Sequence, residues 1–250
     1  MLTYGFCEIS AIPNSHLYGI FTLLGTFTIY NFQRIVKFHL TPNDSNHLKW
    51  VGKNSKFLIL IAGLAGLGTG VLTIYLVQWN LHTLAVSAIV LLVTVFYVVR
   101  IGSRNLRDLP FLKIHLISII WVVSIAIFPL LNEQVFELKL WLFGLTHYFY
   151  ILAICIPFDI RDLTFDNLKQ RTIPQILGVQ SSKMIGVLLL VVFTLTAVYF
   201  MPSLGTNKIF IVAVMVQAIL IYFSSRSQND LYFGGYIDGA ILILGISYLL

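Results

Sequence analysis

Charge is what this sequence has least of. Of 250 residues only 10% are Asp, Glu, Lys or Arg, while 58% are apolar and the mean hydropathy is +0.89. A soluble domain has too little polar surface to cover so much apolar side chain, which excludes a water-soluble globular protein and leaves a polytopic membrane protein. Cysteine is nearly absent too. Cys7 and Cys155 stand far apart in apolar context, which excludes redox-type and metal-type cysteine spacings and reads as two packed thiols. The first fifteen residues lack a basic region followed by a short apolar core and a small-residue cleavage site, so no cleavable signal peptide is expected. The net charge of +6 calls for no nucleic-acid partner, because basic cytoplasmic loops account for it.

What is abundant is long apolar runs. A bilayer core about 30 Å thick needs about 20 residues of apolar helix. With that ruler the chain reads as a single transmembrane helical domain over 1–250, with complete spans near 16–37, 57–78, 82–101, 113–131, 136–158, 183–201, 208–224 and 230–250. The opening "MLTYGFCEIS" is too short to cross and reads as a partial span before the turn at "AIPNS".

The basic residues orient these spans. Arg34, Lys37, Lys49, Lys53 and Lys56 lie between the first two, and Arg100, Arg104, Arg107 and Lys113 between the third and fourth. Arg161, Lys169, Arg171 and Lys183 follow the fifth, and Arg226 the seventh. These are fourteen of the sixteen basic residues; the alternate connections hold only Lys139 and Lys208. The bias predicts that loops 38–56, 102–112, 159–182 and 225–229 face the cytoplasm, in a cell (inner) membrane.

One of those loops is acidic as well. "PFDIRDLTFDNLKQRTIPQILG", residues 157–178, carries Asp159, Asp162 and Asp166. On a helix turning about 100° per residue they fall at about 0°, 300° and 340°, one narrow face. Like charges so placed repel, and a hard divalent ion such as magnesium, bridging to phosphate, would relieve them. The structural alternative is a solvated acidic helix end balanced by Arg161, Lys169 and Arg171.

The stretch "DIRDLTFDNLKQRTIPQILG" resembles the second aspartate-rich motif of the UbiA-type membrane prenyltransferases, a D-x-x-D-x-x-x-D segment followed by a basic residue, a threonine and a glycine, here Arg171, Thr172 and Gly178. "RIGSRNLRDLPFLK" is similar to the basic loop that precedes a proline and a lysine in that family. The resemblance implies a nine-helix, all-α bundle with a cytoplasmic active site. It further implies transfer of an isoprenoid chain from a prenyl diphosphate to a lipophilic acceptor. Mg2+ would be held by Asp159, Asp162 and Asp166, with Asn31, Arg34, Arg100, Arg104, Lys113 and Arg171 as candidates for the diphosphate. The abundant aromatic side chains would shield an allylic cation.

The family's first motif, N-D-x-x-D, is matched only by "YNFQRIVKF": Asn31 is kept, but Phe32 and Ile35 stand at the aspartate positions. Half of the expected metal site is missing, so a relative that binds an isoprenoid or a phosphate-bearing lipid without turnover is the alternative. Arg34, on the same helix end, would then grip phosphate directly or anchor the helix at the headgroups. A transporter is the third class, and it lacks an internal repeat. His147 and Asp238 fall within spans and read as polar contacts between packed helices. Gly66 and Gly70 in "AGLAGLGTG" form no phosphate loop and read as close helix packing.

Overall fold

The computed structural model describes residues 1–40, 46–99, 106–164 and 170–250. Among them the regular structure is helical throughout, with no strand. The helices are α1 (Leu2–Ile9), α2 (Ser15–Leu40), α3 (Asn46–Lys53), α4 (Ser55–Leu76), α5 (Leu81–Val98), α6 (Leu112–Asn132), α7 (Leu138–Asp162), α8 (Ile173–Phe200), α9 (Lys208–Phe223) and α10 (Tyr232–Ser247). Four of them, α4, α6, α7 and α8, have both the length and the hydropathy to cross a bilayer; α5, α9 and α10 are apolar but shorter. Among the described residues, length and composition thus give four candidate membrane-spanning helices, compatible with a membrane protein.

The bundle is apolar outside as well as inside. Leu60, Leu64, Leu67 and Ile74 on α4 and Leu188 and Leu195 on α8 are each at least 60% exposed, a patch that water would not tolerate and lipid would. At the centre lies α7, most of whose apolar stretch is buried, packed chiefly against α8 and α6. Glycine allows the closest approaches. A Cβ on Gly144 of α7 would stand 2.6 Å from the Cβ of Ala126, where α6 widens into a π-helical stretch over Val123–Ile127. The segment expected as a partial span is α1, which packs backbone to backbone on α10 through Gly5 and Gly245.

Helix starts follow local chemistry. Asn80 caps α5 by accepting from Thr83 N at 2.9 Å, and Asn207 caps α9 by accepting from Ile209 N and Phe210 N while its amide donates to Ser247 O. Thr172 and Gln175 form a reciprocal capping box at the start of α8, satisfying donors that a helix N-terminus otherwise leaves bare. That helix begins ten residues before the span expected at 183–201, and Gly178 breaks its first turns with φ +78°, a conformation glycine adopts without steric cost.

Gly66 does meet the Thr28 methyl of α2, at 3.3 Å from a built Cβ, but Gly70 faces open space, so close packing explains only the first. His147 is fully buried among Phe6, Phe143, Phe193 and Tyr248. Its Nδ1 faces the carbonyls of Phe143 and Gly144, and its Nε2 lies 3.0 Å from the Tyr248 hydroxyl. Nδ1 thus serves α7 itself, and Nε2 ties α7 to the residue that follows α10.

Candidate functional site

At one end of the bundle the last turn of α7 meets the first turn of α6. Asp159 and Asp162, three residues apart, share a face of α7, and both turn to Lys113, the second residue of α6. Lys113 Nζ lies 2.8 Å from Asp159 Oδ1 and 3.7 Å from Asp162 Oδ2. Asp162 is shared further: its Oδ1 accepts from Arg161 Nε at 2.8 Å, and its Oδ2 lies 3.9 Å from Arg107 Nη2. Side-chain exposure rises outward from 1% at Asp159 through 8% at Lys113 and 19% at Asp162 to 34% at Arg161. The cluster therefore runs from a buried carboxylate to a solvated guanidinium.

This gradient overturns one expectation. Asp159 is not part of a solvated helix end; the 170–172 turn and the start of α8 close over it. The Phe111 amide donates to Gln170 O at 2.9 Å, tying the turn before α6 to the turn before α8. Phe111 (φ +62°) and Arg171 (φ +48°) are both left-handed, a conformation that costs a non-glycine residue about 1–2 kcal/mol. Together with Lys113, Asp159, Gln170 and Thr172 they line a recess of about 20 Å3, room for a water and too little for a diphosphate. Of the three aspartates expected on one face, the described residues hold Asp159 and Asp162, both in the last turn of α7. Asp166, Arg100 and Arg104 lie outside the described residues.

The other predicted residues separate. Asn31 is buried and donates one N–H of its amide to Phe27 O at 2.8 Å within α2. Arg34 donates through Nη2 to the Tyr30 hydroxyl at 2.7 Å, with its guanidinium 4.1 Å from the centre of the Tyr30 ring. Tyr30 in turn lies within electrostatic range of Arg161, as does Asp230, and Asp238 feels Arg161 as well. Arg171 is exposed at the rim of the recess. Between Ser15 and Leu40, α2 carries no carboxylate at all.

Sequence reasoning undervalued Arg107, Arg161 and Tyr97. Tyr97, near the end of α5, lies within electrostatic range of Arg107, Lys113 and Asp159, and no motif signalled it. Two carboxylates converging on one cation form a hard-oxygen donor set of the kind magnesium takes, one or two carboxylates with phosphate completing the shell. Asp159 and Asp162 are the two carboxylates that could serve such an ion, and in this structure the Lys113 ammonium stands between them. Among the described residues no third His, Cys, Asp or Glu joins them. The cluster can hold anionic oxygens through Lys113 and Arg107 and a divalent cation through the aspartates. Comparison with protein-family models, curated proteins and solved structures finds no match.

Proposed function

We propose that the chain is an integral membrane protein of the UbiA-type prenyltransferase class, with the Lys113, Asp159 and Asp162 cluster at the cytoplasmic end. In this reading it crosses the membrane eight times, with α2, α5, α9 and α10 spanning alongside the four longer helices, in the nine-helix manner once α1 is included. It takes a prenyl diphosphate and moves the isoprenoid chain to a lipophilic acceptor. The observation that carries the reading is the convergence of Lys113, Arg107 and Arg161 on two aspartates at the mouth of an apolar bundle.

The chemistry asks for that combination. Breaking the allylic carbon–oxygen bond leaves negative charge on the departing diphosphate, and fixed cations stabilise it as it develops. Asp159 and Asp162 would hold magnesium, which when bound neutralises diphosphate oxygens. Lys113 would exchange its carboxylate partners for phosphate oxygens, and the bidentate geometry of Arg107 suits the same task. The isoprenoid tail lies in the apolar interior, where water does not reach the carbocation. Because the recess beside Asp159 has room for a water only, loading requires the 111–113 and 170–172 segments to part.

A second reading, binding of a phosphate-bearing isoprenoid lipid without turnover, is favoured by α2, whose helix end offers Arg34 and no carboxylate. One experiment separates them. Purified protein is incubated with radiolabelled farnesyl or geranylgeranyl diphosphate, magnesium and a lipid extract as acceptor source. Labelled lipid product with release of pyrophosphate supports transfer; saturable binding without product supports the second reading; neither refutes both.

A further inference from the structure

The short helix α3 is anchored on one side and open on the other. Val51 is fully buried, and a Cβ on Gly52 would stand 2.5 Å from the Phe38 ring in the last turn of α2. On the open side Trp50 and Phe57 are each more than half exposed, and Lys53 and Lys56 are exposed with them. The break between α3 and α4 is the single residue Asn54, whose N–H still donates to Trp50 O at 3.0 Å and whose carbonyl accepts from Leu58 N at 2.9 Å. Spacings of three and four residues therefore carry one outward stripe across it, through Trp50, Lys53, Phe57, Leu60, Leu64 and Leu67. The stripe changes character once, from tryptophan and lysine to aliphatic side chains alone.

That change falls at a telling height. Tyr75 lies nineteen residues after Lys56, a rise of about 28 Å along the helix, close to the hydrocarbon thickness of about 30 Å. Tyr75 and Trp79 are strongly exposed at the far end. With α4 as a span, the lysines and Trp50 mark one hydrocarbon boundary and Tyr75 and Trp79 the other. Acid is what the lysine end lacks. Among the described residues of α2, α3, α4 and α5 there is no Asp or Glu, so the hairpin offers these lysines no counter-charge of its own. Asn54 turns its amide back to Trp50 O at 2.9 Å, and no side chain caps the N-terminus of α4, a helix end that attracts an anion. Further down, nothing stands within 4 Å of a Cβ built on Gly63 or Gly70, and the missing side chains leave a shallow furrow beside Leu67.

We propose that this corner binds one anionic phospholipid. Lys53, Lys56 and the uncapped start of α4 take the headgroup phosphate, Trp50 lies at the level of the glycerol, and an acyl chain runs past Phe57 along the furrow at Gly63 and Gly70. Charge complementarity selects the occupant. A zwitterionic lipid carries its own cation beside the phosphate, and a second copy docked in the same orientation would set lysines against lysines; an anionic lipid supplies the charge that the hairpin lacks. The proposal is independent of the prenyl diphosphate reading.

Native mass spectrometry of the full chain in detergent, titrated with dioleoylphosphatidylglycerol or with dioleoylphosphatidylcholine, reads lipid adducts and oligomers together. The wild type is expected to bind its first phosphatidylglycerol about 20-fold or more tightly than phosphatidylcholine. Lys53→Gln and Lys56→Gln should each remove about fivefold of that preference, and the double glutamine variant should bring the two lipids within about twofold. A double arginine variant keeps the charge and should keep the preference. Lys139→Gln with Lys208→Gln, exposed lysines outside this corner, should leave it unchanged, and Gly63→Leu, which fills the furrow, should weaken both lipids alike. Melting followed by circular dichroism without added lipid checks the folding of each variant. Equal binding of the two lipids by the wild type, or an undiminished preference in the double glutamine variant, would overturn the site. A dimer that persists in saturating phosphatidylglycerol and dissociates in Gly63→Leu would overturn it too, giving the stripe to a second copy.

Discussion

Removing the ammonium at Lys113 tests the centre of the cluster. Lys113→Met keeps the length of the side chain and deletes the charge that lies 2.8 Å from Asp159 Oδ1. Both groups are buried, at 8% and 1% side-chain exposure, so solvent screening gives little relief. Breaking a buried pair by taking one partner costs about 3–5 kcal/mol, because the remaining charge is stranded. Asp162 keeps Arg161 at 2.8 Å and Arg107 at 3.9 Å, so the loss falls mainly on Asp159. We expect about 3 kcal/mol for Lys113→Met. Asp159→Asn should cost less, about 1 kcal/mol, since Asp162 still stands 3.7 Å from the ammonium. The double variant removes both charges and should lose no more than Lys113→Met alone, a departure from additivity of about 1–2 kcal/mol. Unfolding in mixed micelles of dodecylmaltoside and SDS, followed by tryptophan fluorescence and circular dichroism, measures all four corners of the cycle. Losses that add, or a Lys113→Met variant within 1 kcal/mol of wild type, would refute the pairing and with it the burial of Asp159.

Glycine positions give a paired prediction: Gly5→Ala drives a methyl into the Gly245 carbonyl and should cost about 1–3 kcal/mol. Gly63→Ala, where nothing stands within 4 Å, should be neutral or stabilise α4 by up to about 1 kcal/mol; the same micellar unfolding reads both. At the other end of the bundle, buried Asn132 donates to Leu76 O and Tyr18 Oη and accepts from Gln78 N. Asn132→Leu should therefore cost about 2–3 kcal/mol by orphaning those groups, and an unchanged melting temperature would contradict the network. Topology is open to labelling, because Cys7 and Cys155 are both buried and give a low background. Intact cells exposed to an impermeant maleimide should label Gln134→Cys and spare Ser227→Cys, and labelling of Ser227→Cys from outside would invert the proposed orientation.

The helical class and the apolar helices were legible because an apolar window is a local property, readable residue by residue; α3 and the early start of α8 at Ile173 were not. The charges of the candidate cluster stood out for a similar reason: Asp159, Asp162 and Lys113 are charges in an apolar chain. Their pairing did not. Lys113 reads as one more cytoplasmic lysine until α6 and α7 are laid side by side, and only then does its Nζ fall between two carboxylates. Burial of Asp159 escaped for the same reason, since the turn that covers it comes from residues 170–172, joined to Phe111 by a single backbone hydrogen bond. A left-handed phenylalanine at 111 and a left-handed arginine at 171 follow from no propensity; tertiary structure imposes them. Asn31, taken as a ligand from its place in a motif, donates one amide N–H to its own helix, an i to i−4 bond that any asparagine in a helix can make.

The charges of the cluster stand against the dipoles of the helices that carry them. A helix favours anions at its N-terminus and cations at its C-terminus, by about 0.3–1 kcal/mol each. Lys113 sits in the first turn of α6 and Asp159 in the last turn of α7, each at the end where its helix opposes it. The reverse orientation would suit both helix dipoles. Exchanging the two, Lys113→Asp with Asp159→Lys, preserves the opposite-charge pairing and suits both dipoles. It also puts an ammonium beside Asp162 where the proposed magnesium needs a carboxylate. We expect the exchanged protein to unfold within about 1 kcal/mol of wild type or above it, yet to lose magnesium-dependent binding of farnesyl diphosphate by at least about 10-fold. If instead the exchanged protein binds the diphosphate as wild type does, Lys113 and Asp159 form a structural pair only, and the function must be sought elsewhere in the bundle.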